Sequence, residues 1–67
     1  MGEINRIKLV LFEKMRTARW LAGEMGVTPS TVSKWCTNTT QPSLEMLFKN
    51  SELLQVPIQK LVRKQNF

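Results

Sequence analysis

The side chains able to do chemistry in this 67-residue chain are hydroxyls, carboxamides and cations. Histidine is absent, every acid is a glutamate, and Cys36 is the only cysteine. No nucleophile has a recognisable partner and no glycine-rich phosphate loop appears, so the residues predict no enzyme. A zinc site of Cys and His ligands cannot be assembled, and no metal or cofactor is expected. What stands out is a polar run, Ser30, Thr31, Ser33 and Lys34. Hydroxyls can hydrogen-bond many base edges, and a lysine can reach guanine O6 or N7. A solvated polar helix face would use the same residue types. Arg16 and Arg19 form a second group, flanking a position that could start a helix. Free amides and the helix dipole make such a start a phosphate site.

Ten Lys and Arg against five Glu give a net charge of +5 and a pI near 10.0. That balance favours polyanions, nucleic acid first and an acidic membrane surface second. The basic residues are scattered instead of lining one helix face, which speaks against a membrane-surface peptide. No charged-then-apolar leader and no long apolar run appear. The expectation is a cytoplasmic protein with no membrane span. A chain of this length holds a single domain, here expected over residues 4–64, with frayed ends at Met1–Glu3 and Gln65–Phe67.

Five short helices can be read between those ends, and no run sustains strand alternation. The first spans about Ile4 to Met15, with Ile7, Val10 and Leu11 at helical spacing. The second opens on Thr17 as N-cap, carries Ala18, Leu21, Ala22 and Met25 on one stripe, and ends at Gly26. The third starts after Val27, with Thr28 as N-cap and Pro29 at the first helical position. Val32, Trp35 and Cys36 form its apolar face, and Asn38 supplies a left-handed stop. A fourth helix follows the N-cap Ser43, with Glu45 in its first turn and a stripe of Leu44, Leu47, Phe48 and Leu54. A fifth follows Pro57 with Ile58, Leu61 and Val62. Only a few residues join the second helix to the third, which forces the tight angular turn of a helix-turn-helix.

On these residues the chain resembles the Cro/cI-type helix-turn-helix family, also called the xenobiotic response element family of bacterial and phage regulators. The carrying residues are Thr17, Leu21-Ala22, Gly26-Val27-Thr28, Ser30 to Trp35, and Pro42-Ser43-Leu44-Glu45, with Leu54, Val56 and Leu61 later. The resemblance implies an all-α, compact five-helix lambda-repressor-like domain. It also implies double-stranded DNA as partner, with the third helix in the major groove and commonly two copies on one operator. Ser30, Thr31, Ser33 and Lys34 would then read bases. Arg16, Thr17, Arg19, Thr28, Thr39, Thr40, Gln41 and Ser43 would meet phosphates. The function so implied is sequence-specific transcriptional regulation, as a repressor, in a bacterial or phage-encoded protein.

The chain departs from the family at three points. Ala18 and Pro29 stand where glutamines are common. Leu11 and Cys36 stand where many members pair an Arg with a Glu, so the two are expected to approach each other in the core. Trp20 lies off its helix's apolar stripe; it either folds over Phe12 or an adjacent helix, or offers a patch to a protein partner. Asn50 occupies a commonly apolar position. Cys36 reads as a small core residue. A homodimer is expected on DNA, weak or absent in solution, with the fifth helix as its contact. The competing class is a protein-interaction module such as the antitoxin of a toxin–antitoxin pair, although no extra segment is long enough to wrap a toxin.

Overall fold

The computed structural model describes residues 4–62. Four α-helices follow one another: α1 (Ile7–Glu13), α2 (Ala18–Met25), α3 (Pro29–Cys36) and α4 (Leu44–Leu54). A single 3₁₀ turn, Ile58–Lys60, takes the place of the fifth helix expected from the sequence. There the Leu61 amide reaches only back to the Ile58 carbonyl, and Pro57 provides no amide of its own, so no α-helical ladder starts. The expected residues 63 and 64 of the domain, and both frayed ends, lie outside the described residues.

Three of the helices begin on a hydroxyl, as the sequence predicts. The side chains of Thr17, Thr28 and Ser43 accept hydrogen bonds from the backbone amides of Trp20, Thr31 and Met46. Each cap of this kind stabilises by about 1 kcal/mol. Gly26 closes α2 in the left-handed region at φ 71°, and the Val27 amide then bonds the Ala22 carbonyl at 3.0 Å. Any other residue at Gly26 would be strained there by about 1 kcal/mol.

The start of α1 is a correction. The helix begins at Ile7, three residues after the expected Ile4, because Asn5 is drawn into an antiparallel bridge with Val62. The Arg6 amide bonds the Leu61 carbonyl at 2.8 Å in the same pairing. Its end differs too. Met15 is off the buried stripe, 91% exposed and left-handed at φ 57°.

One core joins the elements. Ile7, Val10 and Leu11 from α1 meet Leu21 and Ala22 from α2, Val32 and Trp35 from α3, Leu54 from α4, and Leu61. The most extensive helix contact is between α2 and α3. The small Ala22, 1% exposed, lets their backbones approach. In α4 the stripe has a different phase from the expected one. Leu44 and Phe48 point outward, 68% and 50% exposed, while Met46, Leu47, Leu53 and Leu54 pack inward. Asn50 sits among them at 0% exposure.

Candidate nucleic-acid interface

The outer face of α3 is polar and open. Ser30, Ser33 and Lys34 are exposed, while Val32 and Trp35 are buried on the opposite face. That split follows from helical spacing, since positions 32 and 35–36 turn inward when 30, 33–34 and 37 turn out. Thr31 is half-buried, and its hydroxyl lies 3.0 Å from that of Thr28. It is therefore less free to meet a ligand than its neighbours.

The three capping hydroxyls have a second capacity. A hydroxyl that accepts from a backbone amide keeps its own proton to donate. Thr17 and Ser43, both exposed, can each give that proton to an anion. Thr28 and Thr31 share theirs.

The loop after α3 is tied down by a carboxamide cluster. Asn38, left-handed at φ 60° as expected, accepts the amides of Ile4 and Asn5 at 2.9 and 2.8 Å. Asn5 Nδ2 donates to the Trp35 carbonyl at 2.9 Å and to Gln41 Oε1 at 2.7 Å. Gln41 Nε2 donates to Asn38 Oδ1 at 3.2 Å. The Gln41 carboxamide is thus engaged at both ends, with one Nε2 hydrogen left over. Thr39 and Thr40 are exposed, their amides both turned back to the Lys34 carbonyl at 2.9 and 3.3 Å. The Thr39 hydroxyl meets that of Thr37 at 2.8 Å. Nothing in the periodicity of the sequence marks Asn5, yet it fixes the end of α3 and the loop relative to α1.

Arg16 and Arg19 flank the start of α2, and both are exposed. The Arg16 guanidinium stacks 4.6 Å from the centroid of Trp20, a cation–π contact that steadies it in place. Trp20 is half-buried and borders a cavity of about 170 Å³ with Lys14, Arg16, Leu53, Leu54 and Gln55. It therefore extends the core toward the end of α4. Phe12, the other expected neighbour, is 80% exposed and borders a different groove.

That groove, of about 370 Å³, separates α1 from α3. Leu11 and Cys36 both line it, with Phe12 and Ala18, and its rim carries Lys8, Arg16, Ser33 and Thr37. Cys36 is half-buried; burial pushes its thiol up from the ordinary value, and the Lys8 cation pulls the other way. Lys8 and Thr37 were missed in the sequence. Thr37 is one turn beyond Ser33 and could have been found by that spacing.

The charges are unevenly spread. No carboxylate occurs between Glu24 and Glu45, so α3 and both flanking turns carry none. Glu24 and Glu52 instead share a cavity with Lys49 between α2 and α4.

A family model for the helix-turn-helix matches residues 8–61. This chain belongs to the Cro/cI-type helix-turn-helix family. Its helix-turn-helix is α2, the Gly26-Val27 turn and α3. Among solved structures, the chain is similar to a protein from Bacteroides fragilis provisionally named as DNA-binding. The two are 55% identical with a TM-score of 0.88, over 90% of this chain and 97% of that one. No curated protein matches the chain. Leu11, 4% exposed, and the half-buried Cys36, which were expected to approach each other, line the same groove. Among the described residues no group of acids and cysteine could hold a metal ion, and no helix is long and apolar enough to cross a membrane.

Proposed function

We propose that the protein is a sequence-specific transcriptional regulator that lays α3 in the major groove of double-stranded DNA. One observation carries this reading: a carboxylate-free, outward polar face on α3, held between three hydroxyl-capped helix starts. Ser30, Ser33 and Lys34 read base edges, with Thr31 in a lesser part because its hydroxyl is shared with Thr28. Arg16, Arg19, Thr17 and Ser43 hold the phosphates on either side, joined by Thr28, Thr39 and Thr40. Gln41 contributes one hydrogen while its carboxamide positions the loop. The Bacteroides fragilis protein, provisionally named as DNA-binding, supports the same reading. Two copies occupy one operator, and by holding that DNA they exclude other proteins, which at a promoter is repression. The bacterial or phage cytoplasm is where such a regulator acts.

Selection of bound duplexes from a random pool tests the reading. It should yield near-palindromic sites with half-sites about one helical turn apart. Affinity for those sites should fall steeply with salt, as phosphate contacts release counterions. No enrichment, with salt-insensitive retention, would contradict it. A protein-partner role of the antitoxin kind draws support from Phe12 and Met15, 80% and 91% exposed. A partner co-purifying with protein that lacks DNA affinity would favour that role.

A further inference from the structure

The groove between α1 and α3 is not used by the proposed DNA contacts except at its rim, where Arg16 and Ser33 belong to both. Its apolar side is formed by Leu11, Phe12, Ala18 and Cys36 around a volume of about 370 Å³. Small-molecule pockets ordinarily measure about 300–1,000 Å³. Ala18 gives only a methyl group to the groove. The Phe12 ring, 80% exposed, stands at the edge with most of its surface in water.

Two cations border this apolar surface, Lys8 and Arg16, and among the described residues no carboxylate does. Glu13, next to Phe12 in sequence, is paired with Lys60 and borders a different pocket with Arg6 and Gln59. Neither Lys8 nor Arg16 has an ion-pair partner among the described residues. One face of the Arg16 guanidinium lies over Trp20, which leaves the N–H bonds in its plane free to donate. Lys8 is felt inside the groove as well, since its cation opposes the upward push of burial on the Cys36 thiol.

We propose that this groove binds an aromatic carboxylate, a small molecule with a flat apolar body and one anionic end. The body lies on Leu11, Ala18 and Cys36 and against the Phe12 ring, and the carboxylate meets Lys8 and Arg16. An inorganic anion would leave the apolar surface unused, and a neutral arene would leave both cations unanswered. A rigid ring system also loses little conformational freedom on binding, which suits an open groove. Ser33 and Thr37 of α3 stand on the same rim, and Arg16 is a proposed phosphate contact. A bound ligand therefore covers part of the surface that meets DNA, and ligand and duplex exclude one another. That consequence rests on the proposed DNA binding; the ligand site does not.

The experiment is a titration of naphthoate into the whole chain without DNA, followed by amide NMR spectra. The amides of Phe12, Ala18, Cys36 and Thr37 should shift and saturate, with a dissociation constant on the order of 1 mM. Lys8→Gln should weaken binding by about fivefold, the most that an exposed ion pair supplies. Ala18→Gln puts a longer side chain into the groove and should abolish saturation. Circular dichroism confirms that both variants are folded. Acetate, inorganic phosphate and naphthylmethylammonium should not saturate these amides over the same range. The inference is overturned by absent saturation, by shifts centred away from the groove, or by phosphate or the cation binding as tightly as naphthoate. Unchanged affinity in both variants would overturn it as well. At matched ionic strength, naphthoate at about ten times its dissociation constant should weaken operator binding about tenfold, and leave Ala18→Gln unaffected. A duplex that binds equally well to protein with a filled groove would overturn the exclusion. Protein that takes up naphthoate but no DNA would contradict the DNA reading alone, so the two failures are distinct.

Discussion

Helices α3 and α4 start alike and finish as opposites. Each begins on a hydroxyl cap, and each gives two or more apolar side chains to the core. Yet α3 keeps the usual order, with Val32 and Trp35 inside and Ser30, Ser33 and Lys34 outside. In α4 the order is partly inverted. Leu44 and Phe48 face outward, while the Asn50 carboxamide is fully buried with neither its oxygen nor its nitrogen hydrogen-bonded among the described residues. A polar outer face suits a partner that offers hydrogen-bonding edges and phosphates, and an apolar one suits a protein surface. The difference shows how one small domain can present two unlike surfaces on adjacent helices, with stability given up at the second.

The largest expected effect removes the inward side of the regular helix. Trp35→Ala should cost about 3–5 kcal/mol in denaturant unfolding, because it empties a large volume at the centre of the core. A cost near zero would mean that α3 is not anchored as described. The inverted helix should respond in the other direction. Asn50→Leu replaces an unpaired buried amide by an apolar side chain of similar branching, and should raise stability by about 1–2 kcal/mol. A loss instead would show that the amide is satisfied in the folded protein.

The sequence made α3 easier to read than α4, for a physical reason. Caps and stops act locally, so Thr17, Thr28, Ser43, Gly26 and Asn38 could each be placed from residue type alone. The phase of an amphipathic helix depends instead on which residues are polar. Asn50 occupies the middle of the inward face of α4, and a polar residue there rotates the apparent stripe toward Leu44 and Phe48. The carboxamide cluster of Asn5, Asn38 and Gln41 was illegible because it joins residues more than thirty positions apart. The same holds for the Asn5–Val62 bridge, which delays α1. Of the proposed interface, the residue types were readable and their accessibility was not. The engagement of Gln41 and the sharing between Thr28 and Thr31 appear only in the folded chain.

A smaller effect belongs to the groove beside α3. The Cys36 thiol is held above its ordinary value, chiefly by burial, with Lys8 opposing. The folded state therefore holds this proton where the unfolded chain has lost it. The stabilisation is fully present below the unfolded value of the thiol and declines as pH rises through the folded one. Unfolding midpoints should fall slightly over that alkaline range in wild type, and Cys36→Ala should flatten that part of the profile. Identical alkaline slopes in the two proteins would remove the thiol from the account.

The central claim is that α3 reads bases, and Lys34 tests it most directly. Binding is titrated on a selected operator and on scrambled DNA at several salt concentrations, for wild type, Lys34→Ala and Arg16→Ala. Lys34→Ala should cost about 1–3 kcal/mol on the operator, change the preferred base at one or two positions, and affect scrambled DNA much less. Arg16→Ala should weaken both DNAs by the same factor and make binding less sensitive to salt. Equal losses on both DNAs from Lys34→Ala, or no loss on either, would contradict base reading by the outer face of α3.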